Sequence, residues 1–148
     1  MKEKSAGAVL FIQNRERKYL LLHYEAGHWD FPKGNIEANE MDEQTLRREI
    51  QEETGIKDIE IIKDFKEKIQ YYFKFEGELI NKTVVFYLAK TREEKVKLSF
   101  EHIGFAWLSY DKALDKLTHM IHGRVGIPAG WQGVFHKAEN IIQIFLLV

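Results

Sequence analysis

Residues 34–56 of the chain read GNIEANEMDEQTLRREIQEETGI, an acidic stretch that decides how the rest of the sequence is interpreted. If the stretch is helical, Glu49, Glu52 and Glu53 stand at positions i, i+3 and i+4 and share one helix face. Like charges on one face destabilise a helix, and hard oxygen ligands suit Mg²⁺ or Mn²⁺, so a divalent cation is the expected compensation. The alternative is a solvated acidic surface helix, which is common in charged proteins.

The composition limits the class of protein. The chain has 148 residues, enough for one domain with a substantial core, and its 45% hydrophobic and 30% charged residues are typical of a soluble globular protein. Its formal net charge of −1 provides no global basic field for nucleic acid or an anionic membrane. The chain has no cysteine, which excludes disulfides, a thiol nucleophile and a cysteine-based zinc site. No signal peptide or membrane-spanning apolar run is evident, so we expect a cytoplasmic protein. The sequence leaves open whether the protein is a monomer or a homodimer.

Hydrophobic patterning predicts an α/β protein with a mixed sheet between helices. Strands are expected at residues 6–13, 18–24, 59–75, 83–89 and 105–108, and helices from residues 39–42 to Gly55, at 110–117 and at 135–147. Asn39 and Asp42 are candidate caps for the first helix, and Gly55 is the expected stop. Pro32 restricts any strand at residues 28–33 to an edge or a short extension.

The acidic stretch also fits a known pattern without a miss: Gly, five residues, Glu, seven residues, then Arg-Glu-aliphatic-X-Glu-Glu-X-Gly-aliphatic. This pattern is the box that defines the Nudix hydrolases, so the chain resembles that family. The resemblance covers nearly the whole chain and implies a single α/β/α sandwich domain, residues 1–148, with a mixed β-sheet. It also implies hydrolysis of a nucleoside diphosphate linked to another moiety, with Mg²⁺ or Mn²⁺ as the cofactor.

Matching positions within the Nudix box imply the metal ligands. Glu49, Glu52 and Glu53 would hold the metal, and the backbone carbonyl of Gly34 would contribute to the same site. The alternative for Glu49 is a role mainly as the general base or as the group that orients the attacking water, since the family varies at this point.

Two further assignments concern the support of that site. The resemblance places Arg48 among the catalytic residues. It also implies that Arg48 pairs with Glu40 and so locks the loop after Gly34 to the acidic helix. Beyond the box, the family often adds one more acidic residue as a metal ligand or general base. Glu101 is the best candidate because the reaction needs a carboxylate within reach of its water, and the alternative is an ordinary loop glutamate.

The segments flanking the box narrow the resemblance. HWDFPKGN, DFKEKIQYY, KTVVFYLA and SFEHIGFAWL are similar, in the same order, to segments of the asymmetric diadenosine tetraphosphate hydrolases, which implies cleavage of the tetraphosphate to ATP and AMP. By position, His28, Lys33 and Lys82 would contact the polyphosphate, and Tyr71 would stack on a purine. The alternatives are surface lysines with solvated amines and a hydrogen-bonded loop histidine.

Other functions stay open at this point. A Nudix enzyme with another substrate would cleave an RNA 5′ end, a nucleoside triphosphate, a nucleotide sugar or a diphosphoinositol phosphate, although the net charge disfavours RNA and inositol phosphates. A third class is an inactive domain that binds nucleotides as a sensor, but such a domain would be expected to have lost a box carboxylate.

Residues 118–133 are the part of the chain least like the family. The glycines and proline here predict an irregular loop. His119, His122 and His136 are candidates for a histidine–metal site, but the spacing of these histidines matches no strong metal-binding pattern. We expect instead a packed surface excursion, or a lid whose Trp131 covers a base.

Overall fold

A mixed β-sheet lies between helices in the computed structural model, which describes residues 1–25, 27–118, 120–121, 124–125 and 130–146. Its elements, in chain order, are β1 (Lys2–Gln13), β2 (Arg17–Tyr24), β3 (Trp29–Asp30), β4 (Lys33–Asn35), α1 (Asp42–Thr54), β5 (Glu60–Phe75), β6 (Glu78–Thr91), β7 (His102–Leu108), α2 (Tyr110–Thr118), β8 (Met120–Ile121), β9 (Arg124–Val125) and α3 (Gly130–Leu146).

The main sheet has the strand order β3-β2-β1-β6-β5. Strands β1 and β6 run parallel, whereas the other neighbours are antiparallel. Two short pairings complete the sheet, since β4 pairs with the first half of β1 and β7 pairs with β2. The β4 pairing places Gly34 beside Ala6 and so brings the start of the acidic stretch against the central strand.

The two faces of the sheet are covered by different helices. On one face, alternate residues of the central strands, such as Ala8 and Leu10, pack with Leu46 and Ile50 of α1. On the other face, Val9 and the residues in phase with it pack under α2 and α3. The arrangement is an α/β/α sandwich, and this prediction is confirmed.

Two local predictions about α1 and α3 are wrong. The N-cap residue of α1 is Met41, whose backbone N–H donates to the Gln44 side chain at 2.8 Å, so neither Asn39 nor Asp42 caps the helix. Helix α3 begins at Gly130 rather than at residue 135, and it includes the last part of the expected loop.

Trp131 explains the early start of α3 and rules out the lid interpretation. Its indole is fully buried, packs edge-on against Phe86 at 5.0 Å, and donates from Nε1 to Asp30 Oδ1 at 2.7 Å. A side chain held in this way belongs to the core and is not free to cover a base.

The histidine–metal hypothesis cannot be followed through the whole loop, because His119 and His122 lie outside the described residues. His136 is described, and its ring lies 3.4 Å from Tyr110 Oη and 3.3 Å from Asn140 Nδ2. Within the ranges described above, no helix has the length and apolarity needed to cross a membrane.

Candidate functional site

Glu49 lies directly against the backbone of Gly34. A Cβ atom at position 34 would overlap the carboxyl group of Glu49, so only glycine leaves room for that carboxylate where it stands. Two separate elements meet here, since Gly34 belongs to β4 and Glu49 to the middle of α1. The glycine of the box therefore provides a close approach between backbone and carboxylate.

Arg48 connects the loop before α1 with the carboxylates on the helix. Its Nε donates to Glu40 Oε2 at 2.7 Å and its Nη2 to Glu40 Oε1 at 3.0 Å, the bidentate geometry that fits a guanidinium. Its Nη1 donates to Glu49 Oε1 at 2.8 Å and to Glu52 Oε2 at 3.1 Å. The expected pairing of Arg48 with Glu40 is present, and the same guanidinium holds two carboxylates of the box.

The charge state of Glu40 follows from these bonds. Hydrogen bonds from Arg48 and from the Thr45 hydroxyl lower the pKa of Glu40 to about 2. The bonds to Glu40, followed by those to Glu49, raise the pKa of Arg48 above its ordinary value. The pair is therefore charged on both sides over the whole physiological pH range.

Glu53 is the most enclosed of the three helical carboxylates, with only 4% of the residue exposed. Burial, followed by the adjacent Glu49 carboxylate, raises its pKa well above the usual range. Its Oε2 atom is buried without a hydrogen-bond partner and lies 3.8 Å from His102 Nε2, which is also unpartnered. A buried carboxylate oxygen without a donor is costly unless a cation or a proton satisfies it.

Gly34, Arg48 and the three helical carboxylates line one open cavity of about 610 Å³. Its wall is made by residues of β1, β2, β4, α1, β6 and the loops before α1 and β7: Ser5, Tyr24, Lys33, Gly34, Asn35, Glu37, Arg48, Glu49, Glu52, Glu53, Lys82, Ser99, Phe100 and Glu101. The structure thus brings Glu101 into the same cavity as the helical carboxylates, although it is about fifty residues away in sequence.

Two lysines bring positive charge to this cavity. The Nζ atom of Lys33 lies 3.6 Å from Oδ2 of the buried Asp30. Lys82 is buried, and its amine donates to Asn35 Oδ1 at 2.8 Å and to Glu3 Oε2 at 3.2 Å. Burial lowers the pKa of Lys82 below its usual value, with the Glu3 carboxylate acting in the opposite direction.

The side chains of His28 and Tyr71 do not line the cavity. His28 stacks on Tyr24 with ring centroids 4.6 Å apart, and burial lowers its pKa. Tyr71 lies directly opposite Lys82 in the β5–β6 register and packs against Trp131 at 5.6 Å. His28 is next to Tyr24 of the cavity wall and Tyr71 is next to Lys82 of the wall, but neither residue lines the cavity itself. Their predicted roles stay predictions.

The sequence alone did not point to three other residues at the site. Asn35 joins Lys82 to Arg48, because its side-chain oxygen accepts from the lysine and its backbone oxygen accepts from the guanidinium at 3.1 Å. Tyr24 and His102 pack edge to face at 4.6 Å behind Glu53. Asn35 and His102 lie within the quoted segments HWDFPKGN and SFEHIGFAWL, but the contacts that involve them and Tyr24 join distant segments, so the sequence did not single these residues out.

The donor set fits a hard divalent cation. Carboxylate oxygens are its preferred ligands, Glu53 Oε2 is buried without a partner, and glycine at position 34 lets the backbone approach Glu49. In the described part of the chain, no three such side chains already stand at metal-binding spacing. One oxygen of Glu49 and one of Glu52 accept hydrogen bonds from Arg48 instead.

The box, the sandwich and the cavity together define a class of protein. The NUDIX domain family matches residues 1–126, and the chain belongs to this family. Nudix hydrolases generally use divalent metal ions.

Similar proteins narrow the class further. An asymmetrical bis(5′-nucleosyl)-tetraphosphatase from Sus scrofa is 35% identical over 123 residues, which cover 74% of this chain and 81% of the relative. A crystal structure of a C. elegans Ap4A hydrolase binary complex is similar with a TM-score of 0.78 at 25% identity, covering 95% of this chain and 98% of that chain. An RNA pyrophosphohydrolase from Sulfurovum sp. is 30% identical over 105 residues, which cover 62% of this chain and 64% of the relative. The predicted family and the resemblance to the asymmetric diadenosine tetraphosphate hydrolases are confirmed.

Proposed function

We propose that the protein is a metal-dependent Nudix pyrophosphohydrolase that cleaves dinucleoside tetraphosphates asymmetrically. In this reaction water splits diadenosine tetraphosphate into ATP and AMP. The observation that carries the proposal is the single cavity in which the box carboxylates and Glu101 share a wall with Lys33 and Lys82. The match to the pig tetraphosphatase over most of both chains supports this choice of substrate.

Glu49, Glu52 and Glu53 would hold Mg²⁺ or Mn²⁺ together with the backbone carbonyl of Gly34, and Glu101 would complete the set. When bound, divalent cations neutralise phosphate oxygens and lower the pKa of a neighbouring water molecule. Glu49 and Glu52 each keep one oxygen on Arg48 and have a second oxygen for the cation.

The chain supplies the remaining chemistry. A carboxylate must take the proton of the attacking water, and Glu101 and Glu49 are the two candidates. Arg48 acts as a positioning residue, because its bonds to Glu40 fix the guanidinium that aims Glu49 and Glu52.

The substrate would be held by cations and by one aromatic ring. Lys33 and Lys82 would neutralise the phosphate chain, and His28 would contact it from the neighbouring loop. Tyr71, beside Lys82 on the adjacent strand, would stack on one of the two purines.

RNA with a 5′-triphosphate is the second candidate substrate, favoured by the relative from Sulfurovum sp.. Against it stands the net charge of −1, since RNA binding depends on neutralising many phosphates.

A substrate panel tests the proposal. Diadenosine tetraphosphate, ATP, ADP-ribose, triphosphorylated RNA and diphosphoinositol phosphate are each incubated with the protein and Mg²⁺ or Mn²⁺. We expect ATP and AMP in equal yield from the first, whereas faster cleavage of another compound would reject the substrate. Glu52→Gln and Glu53→Gln should each reduce kcat by orders of magnitude, and Glu43→Gln, in the first turn of the same helix and outside the cavity, is the matched control.

A further inference from the structure

Phe100 exposes its aromatic ring to solvent at the wall of the cavity. Its exposed fraction is 93%, the largest among the exposed large hydrophobic residues that the structure describes. Single exposed hydrophobic residues are common on protein surfaces and need no function. Phe100 differs from such residues because it lines the cavity that also contains Glu49, Glu53 and Glu101.

The turn that holds Phe100 is fastened to the box helix. The backbone N–H of Ser99 donates to Glu53 O at 3.3 Å, and that of His102 donates to Ser99 O at 3.4 Å. The Ser99 hydroxyl also lies 3.3 Å from His102 Nδ1. Phe100 and Glu101 thus occupy the centre of one turn, and the backbone of that turn is held against α1.

Tyr71 and Phe100 lie at the cavity on two different segments of the chain. Tyr71 stands next to the cavity lysine Lys82, on the sheet. Phe100 stands next to Glu101, on the loop after β6. A dinucleoside polyphosphate carries a base at each end of its phosphate chain, so a substrate with one base on Tyr71 still has a second base to place.

We propose that Phe100 stacks on the second base of the dinucleotide and so favours substrates with two nucleosides. This assignment rests on the function proposed above and identifies the moiety beyond the cleaved phosphates as a nucleoside. Stacking on an aromatic ring is tolerant of base identity, so Phe100 selects for the presence of a second base rather than for adenine. The ring needs no rearrangement to receive a base, because its surface is already free.

The test compares a substrate that has two bases with one that has a single base. Diadenosine tetraphosphate and adenosine 5′-tetraphosphate differ only in the second nucleoside, and the latter is measured as a substrate or as a competitive inhibitor. Phe100→Ala should raise KM for the dinucleotide roughly 5- to 100-fold, the range that base stacking provides, with little change in kcat. The KM or inhibition constant for the single-base compound should stay at the wild-type value.

Two variants serve as controls. Phe100→Tyr keeps an aromatic ring and should retain the wild-type KM for both compounds. Ile103→Ala removes a neighbouring hydrophobic side chain that is 56% exposed but does not line the cavity, and it should have no effect.

The outcomes separate this inference from the proposed function. If the wild type cleaves the dinucleotide normally and Phe100→Ala leaves KM unchanged, the role of Phe100 is rejected alone. An equal loss for both compounds, or a fall in kcat, would mean that the substitution disturbs the turn around Glu101, and it would also reject the stacking role. A wild-type protein that cleaves neither compound overturns the proposed function and this inference with it.

Discussion

Replacing Gly34 by alanine should inactivate the enzyme and leave it folded. The added Cβ would overlap the Glu49 carboxyl group, which is the free end of a flexible side chain and can rotate away. Gly34 does not adopt a left-handed backbone conformation, so alanine brings no backbone strain at this position. We therefore expect the change to act on the position of a functional carboxylate and only weakly on stability.

The size of the effect follows from the distance that Glu49 must move. To restore ordinary contact, its carboxylate has to retreat by about 1.5 Å, and a misplacement of only about 1 Å in an active site already costs on the order of 100-fold in rate. The assay is kcat/KM for diadenosine tetraphosphate with Mg²⁺, read as ATP release, together with the melting temperature of each variant.

Gly104→Ala is the matched control, because its Cβ would meet His23 Cβ at 3.6 Å, an ordinary contact. A double variant, Gly34→Ala with Glu49→Asp, tests the cause. Since Glu49 is already displaced by the alanine, the second change should cost much less than Glu49→Asp costs alone. If Gly34→Ala is folded and as active as Gly104→Ala, the placement of Glu49 against Gly34 has no catalytic importance and the reasoning fails.

Three further predictions concern residues around the cavity. Tyr71→Leu should raise KM for diadenosine tetraphosphate by the roughly 5- to 100-fold that stacking provides, whereas Tyr72→Ala, on the opposite face and 63% exposed, should not; equal effects would reject the base site. Trp131→Phe should lower the free energy of unfolding in urea by about 1–3 kcal/mol, because Asp30 loses a buried donor, and should leave KM unchanged; a raised KM at unchanged stability would restore the lid interpretation. Burial lowers the folded-state pKa of His28 below 6.5, so the neutral ring stabilises the fold above that pH, and this stability is lost as the pH falls through the folded-state pKa. His28→Phe keeps the stacking and should lose less unfolding free energy between pH 7.5 and 5 than the wild type. Identical pH profiles would contradict this.

Hydrophobic periodicity and the positions of glycine are sufficient to predict most of the helices and strands. Gly55 ends α1 in the left-handed conformation, as a glycine after the last turn predicts. The start of α3 was not predictable in the same way. Its first residues include Gly130 and Gly133, which disfavour a helix, and the helix forms there because Trp131 is buried against Asp30, 101 residues earlier in the chain.

The same distinction holds for the candidate site. The resemblance to the Nudix box implied the pairing of Arg48 with Glu40, and the structure contains that contact. Only the family resemblance pointed to Glu101, because the backbone hydrogen bond that fastens its turn to Glu53 joins distant segments and leaves no periodic signal. Phe100 was missed for the same reason, since an exposed aromatic residue in a loop has no meaning until its neighbours are known.

The most direct test of the account is the binding of Mn²⁺, measured by titration calorimetry in the absence of substrate. The helical carboxylates are proposed to bind the cation, so the wild type and Glu43→Gln should bind it alike. The double variant Glu52→Gln and Glu53→Gln should lose that binding while its melting temperature without metal does not fall. Unchanged Mn²⁺ affinity in the folded double variant would contradict the central claim.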